Sequence, residues 1–436
     1  MAHAPRCLTS VLIGLLAVSA LLAFTAMRAI PTAAETSRLQ AAPPADVAVQ
    51  ALTAGQYHTC ALLSGGGVRC WGFNSSGQLG DGTVTTSATP VNVTGLSSGV
   101  QAITVGSNHT CALLNGGGVM CWGFNSSGQL GDSTTTSRGS PVNVIGLSSG
   151  VLAVTAGDNH TCAVTNGGGV KCWGSNDYGQ LGDSTVAQRT TPVDVAGLGG
   201  PVQAITAGGY HSCALTGGGV QCWGFNGDGE LGDGTTTNRM TPVSVNGLSS
   251  GVQAISAGSN HTCALRGGGV QCWGFNGQGQ LGDGTFTPRL IPVAVSGLSS
   301  GIQAIAAGAL HSCALLSGGG VMCWGANTFG QLGDGSSNQR TVPVNVIGLS
   351  PDANRNGVTN STDALCILRQ LGGFAPNANC PNPLPFGDVN GRDGVTSVDA
   401  LCVLRYLGGF ARVASCPYDP PAQAAAAQPA ASSLRP

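Results

Sequence analysis

The chain has 436 residues and a formal charge of −2, with 71 glycines and only 8% charged residues, against about 25% charged in an average soluble domain. One lysine (Lys171) and two glutamates (Glu35, Glu230) leave no basic stripe for phosphates and no acidic tail, so nucleic acid is excluded as a natural partner. A hydrophobic content of 42% supports a folded, turn-rich protein, and 17 cysteines are too many for a reducing cytosol unless they bind metal.

Cys7 to Met27 is an apolar run preceded by Arg6 and followed by the small-residue segment Pro31-Thr32-Ala33-Ala34. Residues 1–34 read as an export signal, or, if uncleaved, as a membrane anchor. Either reading puts the chain outside the cytoplasm, secreted or on the extracellular surface, where cysteines persist as disulfides. Residues 35–48 are a linker.

From residue 49 to 349 one unit repeats six times. Histidines 58, 109, 160, 211, 261 and 311 and tryptophans 71, 122, 173, 223, 273 and 324 keep a step of 50 or 51 residues, the signature of a repeat architecture. Each unit offers four strand candidates: Val-Gln-Ala-Ile, His-Thr-Cys-Ala-Leu, Val-x-Cys-Trp-Gly and Pro-Val-x-Val. A triple glycine between the second and third supplies the positive φ of a tight hairpin. A four-stranded antiparallel sheet repeated around an axis is a β-propeller blade, so the fold class is all-β, a six-bladed propeller with seven blades as the alternative. An N-terminal strand near Val47 to Leu52 pairing with Pro343 to Ile347 is one way to latch the ring.

Two cysteines flank each hairpin: Cys60 and Cys70, Cys111 and Cys121, Cys162 and Cys172, Cys213 and Cys222, Cys263 and Cys272, Cys313 and Cys323. Setting Cys213 opposite Cys222 pairs Ala214 with Gln221, Leu215 with Val220 and Thr216 with Gly219, leaving Gly217-Gly218 as the turn. Opposed residues suit a cross-strand disulfide. A zinc site needs four ligands, and one unit offers two cysteines and a nearby histidine.

The unit resembles the repeat of the regulator of chromosome condensation family, whose Gly-x-x-His, Ala-Leu, Gly-x-Val and Trp-Gly-x-Asn-x-x-Gly-Gln-Leu-Gly elements recur here, as in Trp71 to Gly80. The resemblance implies a ring-shaped propeller, often seven-bladed, that presents loops to protein partners. Exchange-factor activity on a small GTPase, which the family name suggests, does not suit an exported, disulfide-rich ring.

Catalysis breaks symmetry, yet the polar candidates here are symmetric. The six histidines read as structural hydrogen-bonders, with a metal-binding ring as the remote alternative. Asp81, Asp132, Asp183, Asp233, Asp283 and Asp334 read as turn residues. Arg138, Arg189, Arg239, Arg289 and Arg340, with Ser87 in the first unit, read as loop staples ahead of an anion site. Asp158, Asp177, Asp194, Asp228 and Glu230 remain, with no motif joining them into a glycosidase pair. No enzyme activity is expected. Departures from the repeat mark a binding surface instead: Tyr57, Tyr210, Leu310, Tyr178, Phe329 and Phe286.

Past Leu349 the period changes. Asp352 to Asp363 and Asp388 to Asp399 are two copies of a twelve-residue loop, each followed by an apolar helical pattern. Oxygen ligands at positions 1, 3, 5 and 12 with glycine at 6 describe an EF-hand-like calcium loop: Asp352, Asn354, Asn356, the Val358 carbonyl and Asp363. The second loop offers Asp388, Asn390, Asp393 and Asp399, with Arg392 intruding at position 5. The duplicated loop-helix, residues 351–416, resembles a type I dockerin. That resemblance implies one or two calcium ions and docking on a cohesin-type module through Ser361, Thr362, Ser397 and Val398. Disulfides Cys366–Cys380 and Cys402–Cys416 are the simplest connectivity, cross-linking of the two halves the alternative. Residues 417–436 form a Pro/Ala/Gln tail.

The sequence therefore yields a protein-binding propeller anchored through a calcium-dependent dockerin-like module. The alternative is a non-catalytic component of an extracellular polysaccharide-degrading complex, its propeller ligand a protein or a glycan.

Overall fold

The computed structural model describes residues 48–347. Residues 1–47 and 348–436, and with them the expected export signal, most of the expected linker, the dockerin-like segment with its expected calcium ligands, cohesin-facing residues and cysteine pairs, and the tail, lie outside the described residues. Within them the chain forms 24 strands and no helix, and hence no helix long and apolar enough to cross a membrane.

Blade 1 sets the pattern: β1 (Val49–Ala54), β2 (His58–Leu63), β3 (Val68–Gly72) and β4 (Ser87–Asn92) pair in sequence order as an antiparallel sheet. Five more sheets repeat it, each built from one continuous unit, to give a six-bladed propeller. No strand is exchanged between the first and last sheets. The latch anticipated between Val47–Leu52 and Pro343–Ile347 is therefore absent, because the unit begins on an inner strand and ends on the outer strand of the same blade. The outer strand also starts earlier than the Pro-Val motif predicts, as in Arg138–Asn143. A register shift between Cys121 and Gly123 sets Arg138 opposite Gly123 and draws the upstream residues into the sheet. The proline is tolerated there because this is an edge strand.

The hairpin register matches the sequence expectation residue by residue: Cys213 faces Cys222, Leu215 faces Val220 and Thr216 faces Gly219. Gly217 and Gly218 take φ of 58° and 81°, which glycine adopts at little cost. All six cysteine pairs are disulfides.

Five of the six disulfides, all but Cys313–Cys323, belong to a core shared by two successive blades. Cys60, Leu62, Cys70, Leu79, Val93 and Leu96 of blade 1 pack against Val100, Ala112 and Trp122 of blade 2, and the arrangement recurs around the ring. Alternation along a strand sends one set of side chains to the preceding blade and the other to the following one. The four sheets of blades 2 to 5 are therefore buried on both faces, which explains the near-continuous apolar runs. Replacing both Cys213 and Cys222 by alanine removes a crosslink closing a loop of about ten residues, a loss of up to about 3 kcal/mol. Hydrogen exchange of the His211–Thr216 and Gly219–Gly224 amides measures it; unchanged protection there would contradict a stabilising role.

Candidate interaction surface

Two constructions organise the polar residues. The first clamps the long loop of each unit. The asparagine of Trp-Gly-x-Asn is fully buried. In blade 2 its amide (Asn125 Nδ2) donates to Asp132 Oδ1 and to the carbonyls of Thr134 and Thr136, while Asn125 Oδ1 accepts from Leu130 N–H. Asp132 also accepts from Thr134, and its other oxygen takes Arg138 Nε and Nη2, both at 2.9 Å. Partial burial pulls the Asp132 carboxyl upward, but the bonds from Thr134, Arg138 and Asn125 outweigh it and hold it below the usual range. Asp183, Asp233, Asp283 and Asp334 follow suit with Arg189, Arg239, Arg289 and Arg340. These arginines are paired inside their own loops, as the stapling role expects. The sequence reading had the aspartates and arginines as loop residues and missed the asparagine at their centre, although it is invariant across the six units.

The second construction joins blades. Thr110 Oγ1 and Trp122 Nε1 of blade 2 both donate to the carbonyl of Gln78 in blade 1, each at 3.0 Å. His58 Nε2 lies 2.8 Å from Thr110 Oγ1. Since that hydroxyl gives its proton to the carbonyl, His58 donates from Nε2 and is the neutral Nε2–H tautomer. The same set recurs at His109, His160, His211 and His261 with Thr161, Ser212, Thr262 and Ser312. Burial lowers His58 and His211 to about 4, and His109, His160 and His261 to about 3. Each of these five imidazoles serves its own junction, and among the described residues no three His, Cys, Asp or Glu side chains gather to hold a metal.

Two departures from the repeat, Tyr178 and Tyr210, meet where blade 3 adjoins blade 4. Tyr178 of blade 3 lies edge-on to Tyr210 and Phe225 of blade 4, at centroid distances of 5.4 and 5.0 Å. Tyr210 is 37% exposed, and its hydroxyl is held above the ordinary range by burial and then by Asp158, Tyr178 and Asp177. Asp158 accepts from Ser107 and Asp177 from Ser175. Asp194 goes elsewhere, paired with Lys171 at 2.7 Å. Among the described residues, the acids without an arginine or lysine partner, Asp81 apart, thus fall in blades 3 and 4, and Asp158 and Asp177 flank the aromatic cluster. Glu230 stands where the other units have glutamine. It is fully buried, accepts from Asp228 N–H through Oε2 and leaves Oε1 without a partner, and burial pushes it up to about 7. Phe286 is exposed alone in its loop.

The fold and its junctions define a disulfide-stapled β-propeller built from six repeats. Residues 25–300 and 147–366 match the model of the RCC1-like domain, and the chain belongs to that family. Residues 350–408 match the dockerin type I domain. The chain is 33% identical over 179 residues to the ultraviolet-B receptor UVR8 of Arabidopsis thaliana, a match covering 40% of each protein. It is 35% identical over 175 residues to the human probable E3 ubiquitin-protein ligase HERC6, covering 39% of this chain and 17% of the ligase. Among solved structures, yeast RCC1 (Prp20) bound to Kap60 aligns with a TM-score of 0.63 at 21% identity, over 70% of this chain and 76% of that one. Human WBSCR16 aligns at 0.62 and 24%, over 69% and 82%. At those identities the structures establish the fold alone.

The histidine values set a pH dependence. Their folded pKa lies below the unfolded 6.5, so the stability they carry is complete above that pH and lost as pH falls toward 4 and 3, by about 1.4 kcal/mol per pH unit for each histidine that must stay neutral. Urea unfolding at pH 7, 5.5 and 4, pH values about which the ordinary histidine range turns, should show a steepening loss; a flat profile would contradict neutral burial. Glu230 has the opposite sign, its folded pKa being raised, so its contribution falls as pH rises from 4.5 to about 7. Glu230→Gln is expected to stabilise the ring by about 1–3 kcal/mol above pH 7 and to give no gain near pH 4.

Proposed function

We propose that this protein is an extracellular, non-catalytic binding module whose propeller captures a protein partner and whose C-terminal segment anchors it to a cohesin-type module. The match of residues 350–408 to a type I dockerin carries the anchoring half. The donor set of Asp352, Asn354, Asn356 and Asp363 is hard oxygen throughout, which suits calcium, with the Val358 carbonyl as the backbone ligand. Asp388, Asn390, Asp393 and Asp399 make a second set, altered by Arg392. Ser361, Thr362, Ser397 and Val398 would face the cohesin. Six disulfides favour an oxidising compartment, in keeping with residues 1–34 acting as an export signal.

For the propeller, the aromatic cluster of Tyr178, Tyr210 and Phe225 beside Asp158 and Asp177 supports recognition of a lysine- or arginine-bearing protein surface. Ring faces attract a cation and carboxylates bind its N–H groups. Five of the six tryptophans are fully buried in blade junctions, which removes the usual stacking platforms for sugar and favours a protein ligand over a glycan.

Titration of the full chain with calcium, followed by a recombinant type I cohesin module, tests the anchoring. A calcium-dependent complex that dissociates on chelation and weakens in Asp352→Ala/Asp363→Ala is expected. Absence of any complex in saturating calcium would overturn it. Tyr210→Ala should leave the cohesin complex intact while weakening capture of basic proteins from the secretome; equal capture would remove the cluster from the binding surface.

A further inference from the structure

Five of the six junctions carry the full bond set, and the sixth, between blade 6 and blade 1, carries none of it among the described residues. His311 Nε2 meets no hydroxyl, and Thr59 and Trp71 donate to no carbonyl, although each of the five counterparts of these groups is bonded. Trp71 is half-buried where the other five indoles are fully buried, and His311 is half-buried where the other imidazoles are covered. Leu52 on β1 is 65% exposed, while its counterparts, such as Ile103, are partly covered by the preceding blade.

The side chains on the two open faces nevertheless match each other. Only two units place an aromatic residue before Gly-Gln or Gly-Glu, Tyr178 and Phe329, and only two place tyrosine before the histidine, Tyr57 and Tyr210. Where blade 3 meets blade 4, Tyr178 packs on Tyr210 and Phe225. By repeat position, Phe329 of blade 6 corresponds to Tyr178, and Tyr57 and Phe73 of blade 1 correspond to Tyr210 and Phe225. Tyr57 and Phe73 already hold an edge-on contact at 6.0 Å, like the 6.5 Å contact of Tyr210 with Phe225. Phe329, the missing third ring, is 92% exposed.

We propose that blade 6 docks on blade 1 as a clasp that closes the ring and opens again. In the closed ring His311 Nε2–H donates to Thr59, Thr59 and Trp71 donate to the Gln331 carbonyl, and Phe329 packs on Tyr57 and Phe73. The occupant of blade 1's open face is the chain's own blade 6, because the two faces share one chain and meet at a high effective concentration, whereas a second copy must be drawn from solution. Opening uncovers Leu52, Trp71, Leu315 and Val321, so the clasp controls access to an apolar cleft that exists only in the open ring.

Acrylamide quenching of the full chain, with Trp71→Phe isolating the Trp71 emission, reads the clasp directly. Trp71 is expected to be as shielded as the other indoles, in a species that sedimentation shows to be monomeric. Phe329→Ala, and independently His311→Ala, should raise the open population about tenfold, equivalent to about 1.4 kcal/mol, while Phe286→Ala leaves it unchanged. Free quenching of Trp71 that neither substitution alters would overturn the proposal. So would shielding that grows with protein concentration alongside a dimer, which would make a second copy the occupant.

Discussion

One backbone carbonyl in each of the first five blades holds the propeller together. The carbonyl of Gln78, and of Gln129, Gln180, Glu230 and Gln280 after it, accepts a hydroxyl and an indole proton from the next blade, and a histidine from its own blade caps that hydroxyl. All of these groups are buried, so leaving any one unbonded would cost about 1–3 kcal/mol. The bond set therefore fixes how each blade sits on its neighbour, and the apolar packing of leucine, valine and tryptophan fills in around it. Fifteen donor–acceptor relations of one kind explain why the histidine, the hydroxyl residue after it, the tryptophan and the Gly-Gln-Leu-Gly turn recur together.

The same constraint separates scaffold from function. Residues that repeat are consumed by junctions, loop clamps and disulfides; residues that depart from the repeat are free of those duties. Tyr178, Tyr210, Asp158 and Asp177 gather on one end of blades 3 and 4 because the β1–β2 type loops and the turns before Gly-Gln emerge on that end in every blade. Glu230 shows the price of a departure inside a junction: glutamine's neutral amide is replaced by a carboxyl whose burial opposes its charge.

Much of this was legible in the sequence. The hairpin register followed from the cysteine spacing, because opposed cysteines with a glycine turn permit only one pairing. The class of fold followed from the six histidines and tryptophans. The position of the outer strand was not legible, since the bulge beside Gly123 depends on how the long loop returns over the sheet. The junction could not be read either: Gln78, Thr110 and Trp122 lie 32 and 44 residues apart, and nothing local indicates that a hydroxyl and an indole share one carbonyl. The aromatic departures were legible as candidates one by one, but only the blade order brings Tyr178 to Tyr210.

The account rests on the interblade hydroxyl, and removing it isostructurally is the direct test. Thr161→Val leaves His109 Nε2–H and the Gln129 carbonyl each short of one partner without opening a cavity. Equilibrium urea unfolding of this variant, against Thr237→Val on the exposed loop as reference, should show a loss of about 1–3 kcal/mol for Thr161 and under about 0.5 for the loop. Equal and small losses at both positions would contradict a ring held together by these bonds.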